Sequence, residues 1–383
     1  MKLLINGGCL KSSGVCQVAR SFLKECISFP ENEYHVFVSP TLENELRGIT
    51  FPPNFQFYLF DKHPLYSLFG SPPFRILKRY HALTGEIDPD CVFSVFGPAW
   101  WKSGYPTLSG YASPQFIFEE SPFFRKIGFK DKLKLKISKM LFCFALKRET
   151  RYYVVETEIT RERLSRLLHI PLSDIFVVSN TCSDKYHDFV PGKKLLPEKA
   201  ENEFRMFIPA LTQPHKNQVI LNEVIPLLNN NTGLHKQIVF VTTLPRDFLN
   251  SVFTEEAKRS IMNLDRIPAE QCPQAYSECD ALFYPTLLEC FSASYPEAMQ
   301  MGKPILTSDL AFATDTCRDA ALYFDPTDAA DIVRQIVRLV QDEKLQDELI
   351  RRGKKRLSAF LNARQRTQKY LELCRLVISQ SKG

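Results

Sequence analysis

Nowhere in its 383 residues does the chain hold an uninterrupted apolar run near the roughly 18 residues that a membrane-spanning helix needs. It is therefore expected to be soluble or to lie peripherally on a membrane. Its first residues, MKLLINGG, bring glycines too early for the apolar stretch of a secretory signal, so the cytoplasm is the expected compartment. The eleven cysteines include no C-x-x-C pair, and the seven histidines show no H-x-x-x-H spacing. With neither a disulfide framework nor a metal signature, reduced and mostly buried thiols are expected, and no structural metal. There is no repeat of fixed period and no low-complexity tract. A net charge of +6 is too small at this length to name a partner by itself.

Known phosphate-binding glycine motifs are missing as well. The loop NGGCLKSSG carries Gly7, Gly8 and Gly14, but Val15 follows Gly14 where a P-loop needs lysine, and the G-x-G-x-x-G spacing also fails. What remains is a loop that ends at a helix start. There Gly8 and Gly14 either let a phosphate or sugar approach the backbone or simply allow a tight turn.

What the sequence does have is alternation. KLLI reads as a strand, Val15 to about Cys26 as a helix, and Tyr34 to Val38 as a strand. FQFYLF, FRILKRYHAL and DCVFSVFG repeat that pattern, and so do YYVVET, ITRERLSRLLHI and IFVVSN. A second series runs from RMFIPAL through NQVILNEVIPLL, QIVFVTT, PQAYSE and ALFYP to PILTSD. From Asp328 the chain is mainly helical. Such alternation predicts α/β architecture with mostly parallel sheets covered on both faces. The expected division is residues 1–190, a polar proline-bearing linker at 191–203, a second half at 204–360, and a C-terminal helix at 361–383 packing back on the first half.

Charge is unevenly spread. Within residues 123–151, FFRKIGFKDKLKLKISKMLFCFALKRETR, the side chains of Phe129, Leu133, Ile137, Met140 and Phe144 share one helical face, with Lys132, Lys136 and Lys139 on a neighbouring face. A basic amphipathic helix of this kind suits an anionic membrane surface. It equally suits packing on a core with a solvated lysine face. No base-reading or RNA-module signature is present, so no nucleic-acid partner is expected.

The most specific feature is ECFSASYPE, between the apolar strand DALFYP and a helix that Gly302 ends. A loop at the carboxyl end of such a strand is where open α/β sheets bind ligands, and the amides opening the next helix favour phosphate. Glu289 and Glu297 there suit hydroxyl recognition beside a phosphate. Glu297 also fits a capping box with Ser294, and Glu289 also fits a surface charge. In QPHKNQ, Lys216 stands near a helix start, either solvated or poised to pair with a diphosphate. All three residues fall on βα loops, hence on one sheet edge.

From about Phe204 to Phe360 the chain resembles the nucleotide-binding half of the retaining glycosyltransferases of family 4, the class with two Rossmann-like doubly wound domains facing across a cleft (GT-B). ECFSASYPEAMQMGKPILTSD is similar to that family's glutamate, seven residues, glutamate motif, and PHKN to its phosphate-lysine loop. CVFSVFGPAWW with GYASPQF is similar to members that build bacterial surface polysaccharides. The resemblance implies Glu289 and Lys216 as catalytic residues, on the sugar hydroxyls and the diphosphate. It implies donor contacts from Glu297 to ribose, from the amides around Ser292 and Ala293, and from His215. It further implies a nucleotide-diphosphate sugar as donor substrate with no cofactor or metal, a lipid-linked glycan acceptor, and a cytoplasmic chain peripheral on the inner face of the cell membrane. Leu211 departs from the family's phosphate arginine, and Cys290 and Ser292 stand where relatives have glycines. Two rivals stay open: a catalytically silent sugar-nucleotide-binding or scaffold subunit, and a nucleotide-sugar epimerase.

Overall fold

A computed structural model describes residues 1–11, 13–62, 74–209 and 212–381. Ser12 of the glycine loop, and Ala210 and Leu211 at the end of RMFIPAL, lie outside the described residues. The chain forms two compact units: Met1–Ile117, Gly128–Asn180 and Leu361–Gly383 make one, and Phe118–Ile127 with Thr181–Phe360 make the other. Residues 118–127 and 181–190 thus belong to the second unit, not to a first half ending at 190. The reason is local bonding. Ser121 Oγ donates to the Leu287 carbonyl at 2.6 Å, and the Tyr186 ring packs edge-on against Tyr276.

The first unit runs β1 (Lys2–Gly7), α1 (Ser13–Cys26), β2 (Glu33–Val38), α2 (Pro40–Leu46), β3 (Phe55–Leu59), α3 (Arg75–Ile87), β4 (Cys91–Ser94), β5 (Thr107–Gly110), α4 (Phe129–Glu149), β6 (Tyr152–Val155), α5 (Glu158–Leu168) and β7 (Ile175–Val177). Its strands pair in parallel in the order β3-β2-β1-β4-β5-β6-β7. Strands buried on both faces read as short apolar runs, as Leu3–Ile5 and Val36–Val38 do. Helix α1 covers the sheet with Cys16, Ala19, Phe22, Leu23 and Cys26, whose three- and four-residue spacing makes one apolar stripe.

The second unit runs α6 (Asp184–His187), β8 (Glu203–Ile208), α7 (Leu221–Asn229), β9 (Gln237–Thr242), α8 (Arg246–Val252), α9 (Glu255–Arg259), β10 (Ile261–Asn263), α10 (Cys272–Ser277), β11 (Ala281–Tyr284), α11 (Ser294–Gln300), β12 (Ile305–Ser308), α12 (Ala311–Cys317), β13 (Ala321–Phe324), α13 (Ala329–Gln341) and α14 (Glu343–Leu357). Its parallel sheet has the order β10-β9-β8-β11-β12-β13. Gly302, with φ of +63°, takes the left-handed turn that ends α11. The last helix, α15 (Ala363–Ser381), belongs to the first unit. Tyr370 packs there against Phe22 and Phe93, and the buried Arg366 donates to Asn180 and Ser21.

Both sheets share one winding: the chain starts in the middle, builds to one edge, then returns and builds to the other. The reversal opens a crevice at the carboxyl ends of β1 and β4 in one unit and of β8 and β11 in the other. In the first unit protein groups already fill that position. Cys9 Sγ donates to the Ala99 carbonyl, and the Glu149 carboxylate accepts from the amides of Ala99 and Trp100 at 2.8 and 2.5 Å. Burial pushes the Glu149 carboxyl up to about 7 despite these donors. A Cβ on the buried Gly8 would stand 2.2 Å from the Tyr80 hydroxyl, whereas one on Gly14 would meet nothing within 4 Å. Packing inside the chain therefore demands glycine at position 8 but not at 14. Gly8→Ala is expected to cost roughly 1–3 kcal/mol in denaturant unfolding. Adding Tyr80→Phe should restore part of it, and a double variant no more stable than Gly8→Ala would refute the clash.

Candidate functional site

In the second unit, β8 leads into a turn of 3-10 helix at Pro214–Lys216, closed by Asn217 in the left-handed conformation with φ of +55°. Asparagine tolerates that conformation better than most residues. Its amide group donates to the Pro326 carbonyl at 2.9 Å, fixing the loop over the sheet edge. The loop after β11 is tied to the same turn: the Leu287 amide donates to the His215 carbonyl at 2.7 Å, and Thr286 Oγ1 donates to it at 3.3 Å. Two loops from neighbouring strands are thereby locked together at the point where the winding reverses.

Between them lies an ion pair. Lys216 Nζ donates to Glu289 Oε1 at 2.5 Å and to the Tyr284 hydroxyl at 2.7 Å, and the two charged side chains keep only 10% and 13% of their surface exposed. Tyr284 and Thr286 hydroxyls donate to the same carboxylate oxygen at 3.2 and 3.0 Å, and Ser292 Oγ donates to Tyr284 at 3.0 Å. Burial opposes the charge on Lys216, but Glu289 and Tyr284 more than offset it and hold the ammonium above its ordinary pKa. Lys216 is thus a permanently charged cation in a nearly dry place. The amides of Ser292 and Ala293, entering α11, donate to no other backbone group among the described residues.

Glu297 does not cap its helix. Ser294 is already the first residue of α11, the residue before it makes no side-chain cap bond, and the Glu297 amide donates to the Ala293 carbonyl. Its carboxyl instead lies beside the hydroxyls of Tyr186 and of Tyr276, the latter donating to the Ser294 carbonyl at 3.2 Å, and burial pushes its pKa up from 4.5 to about 7 against these neighbours. The His215 imidazole is held below its ordinary value, by burial first, so it is neutral near pH 7. The cation beside the loop is Lys126, whose Nζ donates to Asn217 Oδ1 at 2.8 Å.

Of the residues singled out in the sequence, the structure brings together Lys216, Glu289 and Ser292, with His215, Ala293 and Glu297 on the same loops and helix. Gly8 and Gly14 belong to the other unit. Tyr284, Thr286, Tyr186, Tyr276 and Lys126 were not anticipated. Tyr284 carried a signal, since a polar end on the last residue of an apolar strand points at the loop edge. Lys126 carried none, because it comes from a distant segment.

Residues 196–356 match the family model described as Glycosyl transferases group 1. The O-antigen chain mannosyltransferase B of Escherichia coli is 25% identical over 207 residues, covering 51% of this chain and 53% of that protein. The chain thus spans about half the length of this curated relative. Sucrose-phosphate synthase from Thermosynechococcus elongatus superposes with a TM-score of 0.73 at 15% identity, covering 99% of this chain and 100% of that one. Anabaena HepE in complex with UDP-glucose superposes at 0.70 and 12% identity, covering 97% and 99%. At such identities the likeness shows the fold alone, two parallel-sheet α/β domains of GT-B type with a helical C-terminus.

Since the folded chain holds the Glu297 proton up to about pH 7 and an unfolded glutamate releases it near 4.5, this group's stability contribution is full below 4.5 and is lost as pH rises through 7. Glu297→Gln keeps a neutral acceptor at every pH. Its melting temperature should exceed that of the parent at about pH 8 by a few degrees and match it near pH 5. Equal differences at both would contradict the buried carboxyl.

Proposed function

We propose that this protein, which matches the Glycosyl transferases group 1 model over residues 196–356, moves a hexosyl or deoxyhexosyl group from a nucleotide-diphosphate sugar to a glycan acceptor in bacterial surface polysaccharide synthesis, with retention of anomeric configuration. The observation that carries this reading is the Lys216–Glu289 pair set between the loops after β8 and β11, where a doubly wound sheet opens to ligand. The O-antigen chain mannosyltransferase that the chain resembles over half its length supports sugar transfer to a surface polysaccharide; a lipid-linked acceptor on the cytoplasmic side belongs to the same proposal.

The chemistry follows from the charges. A departing nucleoside diphosphate gains negative charge as the glycosidic bond breaks, so a cation fixed in a dry site stabilises the transition state more than the ground state. Lys216 supplies that cation. In the free protein it is neutralised by Glu289; a diphosphate beside Lys216 replaces that partner with a stronger one and frees Glu289 Oε1 to accept hydroxyls of the transferring sugar. The unused amides of Ser292 and Ala293 face the distal phosphate. Glu297 accepts the ribose diol, and Lys126, bonded to Asn217, adds positive charge beside the same loop; in the sequence Leu211 stands at the family's arginine position. In this reading the Lys216 ammonium carries the positive charge at the diphosphate, and transfer is taken as metal-independent.

A thermal-shift screen of nucleoside diphosphates tests the binding step, because a ligand at about a hundred times its Kd adds roughly 2.7 kcal/mol to the folded state. In turnover assays, Lys216→Ala and Glu289→Gln should each lower kcat by about a hundredfold or more, consistent with losing one transition-state contact of that size. Circular dichroism must show both variants folded, since removing one partner of a buried pair also destabilises. Full activity in either variant removes the assignment. Glu297→Gln should chiefly raise the donor KM, and the parent's KM should fall as pH rises through about 7, where the carboxyl ionises. Conversion of the donor without any acceptor would instead identify an epimerase.

A further inference from the structure

Helix α4 is the longest among the described residues, with 21 residues, and it carries two apolar stripes rather than one. At about 100° per residue, Leu135, Phe142 and Leu146 project to one side. That side is packed: Phe142 stands 4.6 Å from the Phe116 ring, Leu146 is fully buried, and Glu149 anchors the helix end on the Ala99 and Trp100 amides. On the far side stand Phe129, Leu133, Ile137, Met140 and Phe144, with exposures of 82%, 52%, 50%, 65% and 64%. Leu141 extends the patch at 48%. Six of the fourteen large apolar side chains exposed among the described residues therefore lie on this one helix. Such concentration marks an interaction surface rather than scattered exposure.

The charges around the stripe select the occupant. Lys132 and Lys136 border it on one edge, Lys130 and Lys134 on the other, and Lys147 and Arg148 close its carboxyl end. Asp131 is the sole acid from Phe129 to Arg148. Lys147 and Arg148 also line a cavity of about 520 Å³, to which Lys102 adds a further positive charge. A second copy docking through this stripe would oppose lysine rows to lysine rows, which repel. An anionic lipid surface has the opposite charge and accepts an apolar stripe below it, with lysine stems reaching outward to the headgroups. No helix among the described residues is long and apolar enough to cross a membrane, so α4 lies along the surface rather than through it.

We infer that α4 is a membrane-docking element: its outward stripe of Phe129, Leu133, Ile137, Met140 and Phe144 seats in the interface of an anionic bilayer while the flanking lysines meet the lipid phosphates. This inference stands on the surface of the first unit alone and does not rest on the transferase reading.

Co-sedimentation of the full chain with phosphatidylcholine vesicles, with and without one third phosphatidylglycerol, reads it directly and needs no turnover. Binding is expected only to the anionic vesicles and should weaken as salt rises. Replacing Ile137, Met140 and Phe144 together by glutamate should abolish it. Each Lys→Gln change among Lys130, Lys132, Lys134 and Lys136 should lower the partition coefficient roughly fivefold. Because these side chains are exposed, melting temperatures should not change, which separates lost docking from lost folding. No binding, equal binding to neutral vesicles, or undiminished binding of the triple glutamate variant would each overturn the inference. So would a concentration-dependent dimer that the triple variant abolishes, since it would show a second copy covering the stripe.

Discussion

Lys216 and Glu289 hold opposite charges out of water at the place where two parallel strands send their chains in opposite directions. Removing each ion from solvent costs several kcal/mol, and mutual attraction restores that only when the remaining donors and acceptors are satisfied. Here they are satisfied by Tyr284, which also accepts from Ser292 Oγ, and by Thr286, which is tied to the His215 carbonyl. An apolar pair of similar volume would serve stability as well. On the proposed function the arrangement is polarity kept ready: a charged amine, already desolvated, for which an anion replaces the carboxylate partner.

Topology decides why these two loops meet. Strands β8 and β11 are neighbours in the sheet though some 70 residues separate them in sequence, as the 73-residue gap between Lys216 and Glu289 shows. Right-handed crossovers put the helices after β8 and β11 on opposite faces, so their loops part at the carboxyl edge and leave room between them. The first unit has the same geometry and uses it differently. There the Glu149 carboxylate occupies backbone amides of the 99–100 turn, and the Tyr80 hydroxyl crowds Gly8, so the chain's own groups fill the equivalent opening.

Much of this was legible in the sequence because buried parallel strands are apolar on both faces and helices over them are apolar on one. KLLI, YYVV and ALFY announce themselves, as does the stripe of α1. TLSG of β5 and IMN of β10 do not: each is too short and too weakly apolar for periodicity to register, and only ladder pairing defines them. The glutamate and lysine motifs were legible because a sharp polar interruption between strand and helix has few structural reasons to exist. Glu297 was ambiguous for a physical reason, since S-x-x-E reads identically whether the serine precedes the helix or begins it. Tyr186 and Lys126 were illegible because their roles arise from chain segments that join the second unit only in three dimensions, and Tyr276 because the short helix α10 has too few residues to show which face meets α11.

Helix α4 shows the limit of periodicity most sharply. The outward stripe at positions 129, 133, 137, 140 and 144 is the cleaner pattern, and by pattern alone it is the face that should pack. The structure packs the sparser stripe of Leu135, Phe142 and Leu146, because Glu149 and Phe142 pin the helix through the Ala99–Trp100 turn and Phe116. Sequence periodicity measures how apolar a face is, not what stands opposite it. A face this apolar left open invites self-association, and the two lysine rows are what hold copies apart. The same rows that repel another α4 attract an anionic surface, so one charge pattern accounts both for tolerance of the exposed stripe and for its preferred partner.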